Sequence, residues 1–453
     1  MKKTKIFASA LCLGAVALSL ASCGDNSPKI QFYCSAGNSI APVIQKRIDA
    51  FNKNSDVKIV MTNPGNYDPL KEKVKKDLKV NNQPAIAYCY PDHVAEYLDG
   101  TYAKKVINIG DRFDGAKSFL EESILPAYLE EGKVYDEAGT LYSIPFQRST
   151  ECIYVNLNHL NAAGVKTSDL ATWEGLFAAL PKIRAAVKDL PNVENKKGEY
   201  KQVLGYDSED NLFITLCHQY NIPYTASAAT AEGKYLFANE GKEKVTKMLE
   251  DLNKEYKAGN FTTQEILGGY TSNEFVKGNI SISIGSTGGA NHQNPKEKFS
   301  YAVLPLPKPA KLAEDTNLKG QSVSQGPSLV MFEQKDDKYE DVAWKFVKEV
   351  LLSDDIQVEF STTSGYLPVT NSALNSDSFK GFITGDSIMA KTINVASGVK
   401  ENLFQSPAFN GSNTARNQVG ILLAEATKST DKNLTAKIQE LIAEAYDVCS
   451  YFE

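Results

Sequence analysis

The sequence predicts an α/β protein of two lobes hinged about a cleft, and three observations lead there. Strand-like and helix-like periods alternate in two separate regions, one before residue 140 and one after residue 157. Between them, residues 141–156 read as two apolar strands interrupted by Pro145 and the polar cluster Gln147, Arg148, Ser149 and Thr150. Polar groups between apolar strands suit a hinge beside a wet cleft, although the stretch in isolation also reads as a solvated hairpin loop. The sequence shows no internal repeat, low-complexity tract or long linker, so several chain crossings rather than one tether join the two regions.

In the first region an extended Lys-Ile-Gln-Phe-Tyr-Cys-Ser run precedes residues 38–52, where Ile40, Val43, Ile44, Ile48 and Phe51 fall at helical spacing. Residues 57–61 form the next expected strand, Asn63-Pro64-Gly65-Asn66 a turn, and Leu70, Val74 and Leu78 one face of a second helix. A third strand over 85–90 ends at Pro91 and Asp92 and leads into a short helix. This alternation predicts parallel pairing, and ligands of such sheets sit beyond the carboxyl ends of the strands. Asn66, Tyr67 and Asp92 stand there.

The second region begins with a helix capped by Thr172, followed by a strand over 203–206 and helices over 212–220 and 245–256. Residues 280–284 form a strand that ends in Gly285-Ser286-Thr287-Gly288-Gly289. That loop lacks the Gly-Lys-Ser/Thr ending of a phosphate loop and equally fits a plain turn. A strand over 301–304 reaches Pro305 and Pro307, where the chain is expected to cross back. Strand 329–332 and a helix marked by Val342, Phe346, Val347 and Val350 follow. A third crossing is expected near 350–353, with mostly helix from there to the end.

The 42% hydrophobic and 23% charged residues are ordinary for a globular chain, and 453 residues fit one large or two medium domains. The N-terminus differs. Lys2, Lys3 and Lys5 precede an apolar run over 6–20 and then Leu20-Ala21-Ser22-Cys23, the pattern of a secretory leader ending in a bacterial lipobox. The reading is a signal peptide over 1–22, Cys23 as the lipidated first mature residue, and a polar tether over 23–28. Losing those three lysines takes the formal charge from −6 to −9, a balance that excludes a nucleic-acid surface. Cys34, Cys89, Cys152, Cys217 and Cys449 are odd in number and scattered, with no metal-ligand spacing, and are expected as buried free thiols. No metal or cofactor is implied.

Several landmarks together resemble the family 1 extracellular solute-binding proteins of ABC transporters. They are Gly65-Asn66-Tyr67, Pro84-Ala85-Ile86, Pro145-Phe146 with Ser149-Thr150, Thr172-Trp173, the 285–289 loop, Gly326 with Ser328-Leu329, Gly365-Tyr366-Leu367-Pro368, and Arg416 opening a late helix. The resemblance spans most of the mature chain and is closest to the glycerol-3-phosphate/glycerophosphodiester and maltose binders. It implies a type II periplasmic-binding-protein-like fold, with residues 29–146 and 305–350 in one lobe and 147–304 and 351–453 in the other. It implies a ligand-binding set of Tyr67, Ser149, Ser286, Gly326, Tyr366 and Arg416, to which the residues themselves add Asp92 and Arg148. Tyr67 is expected on one lobe, with Tyr366 and Arg416 facing it from the other. The tyrosines offer ring faces and hydroxyls, and Arg416 would clamp a phosphate or carboxylate.

This chain departs from the glycerophosphate pattern at two places. Asp92 sits one position after the usual acid, and residues 206–213 carry Asp207, Glu209 and Asp210 where that pattern has tryptophans. Those acids repel a phosphate and suit sugar hydroxyls, whereas Arg148 in the cleft would favour an anion. The function implied is a monomeric, lipid-anchored receptor on the outer face of the membrane. It would bind a sugar or glycerophosphate and pass it to a permease. A surface carbohydrate hydrolase and an adhesin lipoprotein are the alternatives. The first would need carboxylates paired across the cleft, and the second predicts no stabilisation by a small ligand.

Overall fold

A computed structural model describes residues 27–37, 39–188, 190, 202–226 and 234–452. The leader and Cys23 lie outside the described residues. In chain order the strands are β1 (Lys29–Tyr33), β2 (Lys58–Thr62), β3 (Ile86–Cys89), β4 (Ser143–Pro145), β5 (Glu151–Asn156), β6 (Leu204–Tyr206), β7 (Phe261–Thr263), β8 (Ile282–Ser286), β9 (Tyr301–Pro305), β10 (Ser322–Val323), β11 (Ser328–Met331) and β12 (Leu403–Phe404).

Two five-stranded sheets result, ordered β2-β1-β3-β11-β4 and β7-β6-β8-β5-β9. β1 pairs in parallel with β2 and β3, and β6 with β7 and β8, as the strand–helix alternation predicts. The strands nearest the crossings, β4, β5, β9 and β11, pair antiparallel, so both sheets are mixed. Helices cover the sheets, which is why β3, β5 and β11 are buried along their whole length and read as continuous apolar runs. Among the described residues no helix is long and apolar enough to cross a membrane. Cys34, Cys89, Cys152 and Cys217 are buried free thiols, and Cys449 is buried as well.

Each sheet has its own core. The first contains Phe32, Ile86, Phe146 and Leu329, and the second Ile153, Trp173, Leu204 and Ile282. Two expected crossings fall elsewhere. Leu306 and Val323 belong to the second core, so the chain returns to the first lobe over 324–327 and not at 304–307. The helix Asp354–Ser364 packs into the first core through Ile356 and Phe360, and residues 367–379 follow it through Leu367, Val369 and Phe379. Phe360 meets Phe146 edge-on at 5.2 Å, and Gln357 Nε2 donates to the Phe146 carbonyl at 3.1 Å. The chain therefore does not cross at 350–353: residues 351–379 join the first lobe instead of the second, and the helix Ile388–Val399, which also lays Ile388 and Val395 against Tyr154 and Val303 of the second sheet, spans the two. An amphipathic helix declares that one face is covered but not which core covers it.

Two of the crossings lie side by side. Ser149 and Gln325 exchange backbone hydrogen bonds of 2.8 and 2.9 Å, and Arg148 pairs likewise with Leu367. Gly326 makes this possible: its φ is +107°, and a Cβ there would sit 2.2 Å from the Gln147 carbonyl oxygen.

The interlobe cleft as a candidate binding site

A cavity of about 830 Å³ lies between the lobes. Seven of the eight predicted ligand residues line it: Tyr67, Asp92, Ser149, Ser286, Gly326, Tyr366 and Arg416. Arg148 does not. Its guanidinium is completely buried in the hinge, where Nη2 donates to Glu131 Oε1 at 2.6 Å and Ser328 Oγ at 2.8 Å. Nη1 donates to the carbonyls of Gln147, Gly326 and Pro327. The expectation of Arg148 as a ligand contact is corrected accordingly. A guanidinium with a carboxylate and three carbonyls around it ties the crossings together and, fully buried, presents no face to the cavity.

The first-lobe wall is aromatic. Tyr67 opens the helix Tyr67–Lys79 and Tyr90 follows β3, their rings 4.4 Å apart. Burial pushes the Tyr67 phenol well above its ordinary range, and the adjacent Tyr90 and Tyr366 add to the effect. Tyr366 thus stands beside Tyr67 on one lobe instead of facing it from the other. The reason is the packing of its neighbour Leu367 into the first core.

The second-lobe wall is acidic. The helix Glu209–Gln219 begins with two acids, which the positive end of a helix favours. Asp210 Oδ2 holds Arg416 Nε at 2.6 Å, and Arg416 Nη2 donates to Asn211 Oδ1. Arg416 rises from the helix Ser412–Lys428. Burial lowers its pKa, yet the charges of Asp210 and Asp92 outweigh that and hold it above the usual arginine value. The expected anion clamp therefore already holds one carboxylate, that of Asp210. Glu151 starts β5 and accepts from the Tyr206 hydroxyl at 2.5 Å and Asn211 Nδ2 at 3.3 Å. Burial pushes its carboxyl up to about 8.

The lobes touch across one side of the cleft. Asn413 Nδ2 donates to Asp92 Oδ2 at 3.1 Å while its Oδ1 accepts from Lys71 Nζ at 2.9 Å, and Asn410 Nδ2 donates to Asp99 Oδ2 at 2.9 Å. Burial disfavours the Asp92 carboxylate, but His93, Arg416 and the Asn413 amide hold it below its ordinary range. Ser286 Oγ donates to Ser149 Oγ at 3.3 Å, joining the end of β8 to the hinge. Among the described residues no group of His, Cys, Asp and Glu is placed to hold a metal ion.

The family model described as "bacterial extracellular solute-binding protein" matches residues 46–384. The chain is a bacterial extracellular solute-binding protein. This solute-binding protein is 26% identical over 357 residues to the sn-glycerol-3-phosphate-binding periplasmic protein UgpB of Yersinia pestis bv. Antiqua, covering 78% of this chain and 77% of the relative. It is also 26% identical over 390 residues to the UgpB of Escherichia coli O1:K1, covering 84% and 83%. UgpB from Mycobacterium tuberculosis, solved with glycerophosphocholine, superposes with a TM-score of 0.72 at 17% identity, over 93% of this chain and 99% of that one. The GacH receptor of Streptomyces glaucescens, solved unliganded and with acarbose, gives 0.68 at 14% identity over 93% and 99%. The two-lobe, type II periplasmic-binding-protein-like fold follows. Membership makes this a binding protein and not an enzyme.

Several cavity-lining groups of the solute-binding protein were not singled out from the sequence. Glu131 and Glu151 carried a signal in retrospect: each is an acid beside an otherwise apolar or hinge stretch. Tyr90, Tyr270, Gln293 and Gln325 carried none, because their place in the wall depends on how separate loops meet.

Proposed function

We propose that this solute-binding protein is the receptor of an ABC importer, and that it closes its lobes on a carbohydrate and delivers it to the permease. The observation that carries the choice of ligand is the state of Arg416. Asp210 already pairs with its Nε and Asn211 with its Nη2, and further carboxyl groups line the cavity around it. A phosphate reaching this guanidinium would lie against the carboxylates of Asp210 and Asp92. Sugar hydroxyls, which donate and accept, fit an Arg–Asp pair without breaking it. Tyr67, Tyr90 and Tyr366 supply a surface for the apolar face of a sugar ring. The glycerophosphate class of the UgpB relatives is thus set aside here in favour of the carbohydrate class of the acarbose-binding neighbour.

Cys23 is the proposed lipid attachment site, holding the receptor on the outer face of the membrane through a short tether. A monomer suffices, since the two lobes of one chain form the cleft. A thermal-shift screen of sugars, oligosaccharides and glycerophosphates tests the reading. Carbohydrates should raise the melting temperature and be recovered chemically unchanged; turnover, or stabilisation by glycerophosphates alone, would overturn it. Cys23→Ser should move the protein from the membrane fraction to the medium.

A further inference from the structure

Six carboxyl side chains, from Asp68, Asp92, Glu131, Glu151, Asp207 and Asp210, line the cleft against the single guanidinium of Arg416. Asp210 is balanced by Arg416 and Glu131 by Arg148, each at 2.6 Å. Among the described residues Asp207 has no such partner. It follows β6, its Oδ1 accepts the backbone N–H of Thr271 at 2.6 Å, and the charge that bears on it is the like charge of Glu209. A half-buried carboxylate without a counter-ion is costly, and burial holds its pKa above the ordinary value.

Gln293 closes the same corner. Its side chain is 98% buried, and its Oε1 has no hydrogen-bond partner among the described residues. The two side chains converge over Gly285. The point where any other residue would carry its Cβ lies 3.2 Å from Gln293 Nε2 and 3.3 Å from Asp207 Oδ2. A side chain there would crowd both, and glycine leaves them room. At the rim stands Tyr270, 58% exposed, one residue before the Thr271 that holds Asp207. The corner therefore combines an unbalanced acid, an orphan acceptor and an available aromatic face.

We propose that the Asp207–Gln293 corner of the cleft binds a protonated amine, so that the ligand is an amino sugar or an oligosaccharide containing one. A hydroxyl brings one proton and no charge, leaving the carboxylate unbalanced. An alkylammonium brings three donors and the missing positive charge, and it sits favourably against the Tyr270 ring. This inference rests on the carbohydrate reading and deepens it.

Three disaccharides sharing one β-1,4 glucose skeleton differ only at C2: the glucosamine dimer, its diacetylated form and cellobiose, carrying amine, acetamide and hydroxyl. Calorimetry near neutral pH should find the amine bound at least tenfold tighter than the other two. Asp207→Asn should reduce that advantage to threefold or less, and so should Gln293→Met, which keeps the volume and removes the acceptor. Melting curves check that both variants fold. Equal affinity for cellobiose and the glucosamine dimer would overturn the amine subsite and leave the carbohydrate reading standing. So would an advantage that survives Asp207→Asn. Failure of all three to bind overturns the subsite, and binding of sn-glycerol 3-phosphate in their place overturns both.

Discussion

Glu151→Gln should remove a loss of stability that this protein suffers as the pH rises. Glu151 is 1% exposed, and burial moves its carboxyl from 4.5 to about 8. In the unfolded chain the same group ionises near 4.5. Below that pH it is protonated in both states and folding carries no penalty on its account. Between the two values the unfolded chain releases a proton that the folded protein keeps, so stability falls with rising pH and levels off above about 8. At about 1.4 kcal/mol per pKa unit, the loss is on the order of 5 kcal/mol. Gln keeps the shape of the neutral acid beside Tyr206 and Asn211 and has no proton to lose. Urea denaturation should therefore find Glu151→Gln close to the wild type near pH 5 and more stable near pH 9, by a difference that grows in between. Fluorescence reports both lobes, because Trp344 packs in the first core and Trp173 in the second. Glu131 and Asp207 also have raised values and fade in the same direction, which is why the difference between the two proteins is the quantity to read. A difference that stays constant from pH 5 to 9 would refute the reasoning.

Three further outcomes are expected. Arg148→Ala leaves Glu131 buried without its cation and should cost about 3–5 kcal/mol in chemical denaturation. Arg148→Ala combined with Glu131→Gln should recover part of that loss, and no recovery would disprove the pairing. Gly326→Ala meets the Gln147 carbonyl in a left-handed conformation and should cost about 2 kcal/mol or more, visible as a lower melting temperature. Asn413→Ala removes the bridge from Lys71 to Asp92 and should raise the radius of gyration of the unliganded protein in solution scattering; an unchanged radius means the bridge does not hold the lobes together.

Local pattern made much of the fold legible. The helical spacing of Ile40, Val43, Ile44 and Ile48 gave the helix Ala41–Lys53, and apolar runs bounded by turns gave β3, β5 and β8. The loops after β2 and β3 placed Tyr67 and Asp92 at the cleft, because ligands collect beyond strand ends in such sheets. Partnership between distant segments was not legible. Arg148 looked like a cleft cation because its neighbours are polar. Only the fold brings Glu131 and three carbonyls around it, and only the fold puts residues 356–379 on the first core. The same limit hid the engagement of Arg416, since Asp210 lies more than two hundred residues away in sequence and 2.6 Å away in space.

The choice between carbohydrate and glycerophosphate comes down to one comparison. The mature chain should be titrated calorimetrically with sn-glycerol 3-phosphate and with glucosamine- and glucose-based disaccharides, at low and at physiological salt. Carbohydrate should bind, and glycerophosphate should bind weakly or not at all even at low salt, where attraction to a free cationic site would be strongest. Tight glycerophosphate binding that weakens with salt would show Arg416 released from Asp210 and would contradict the carbohydrate assignment.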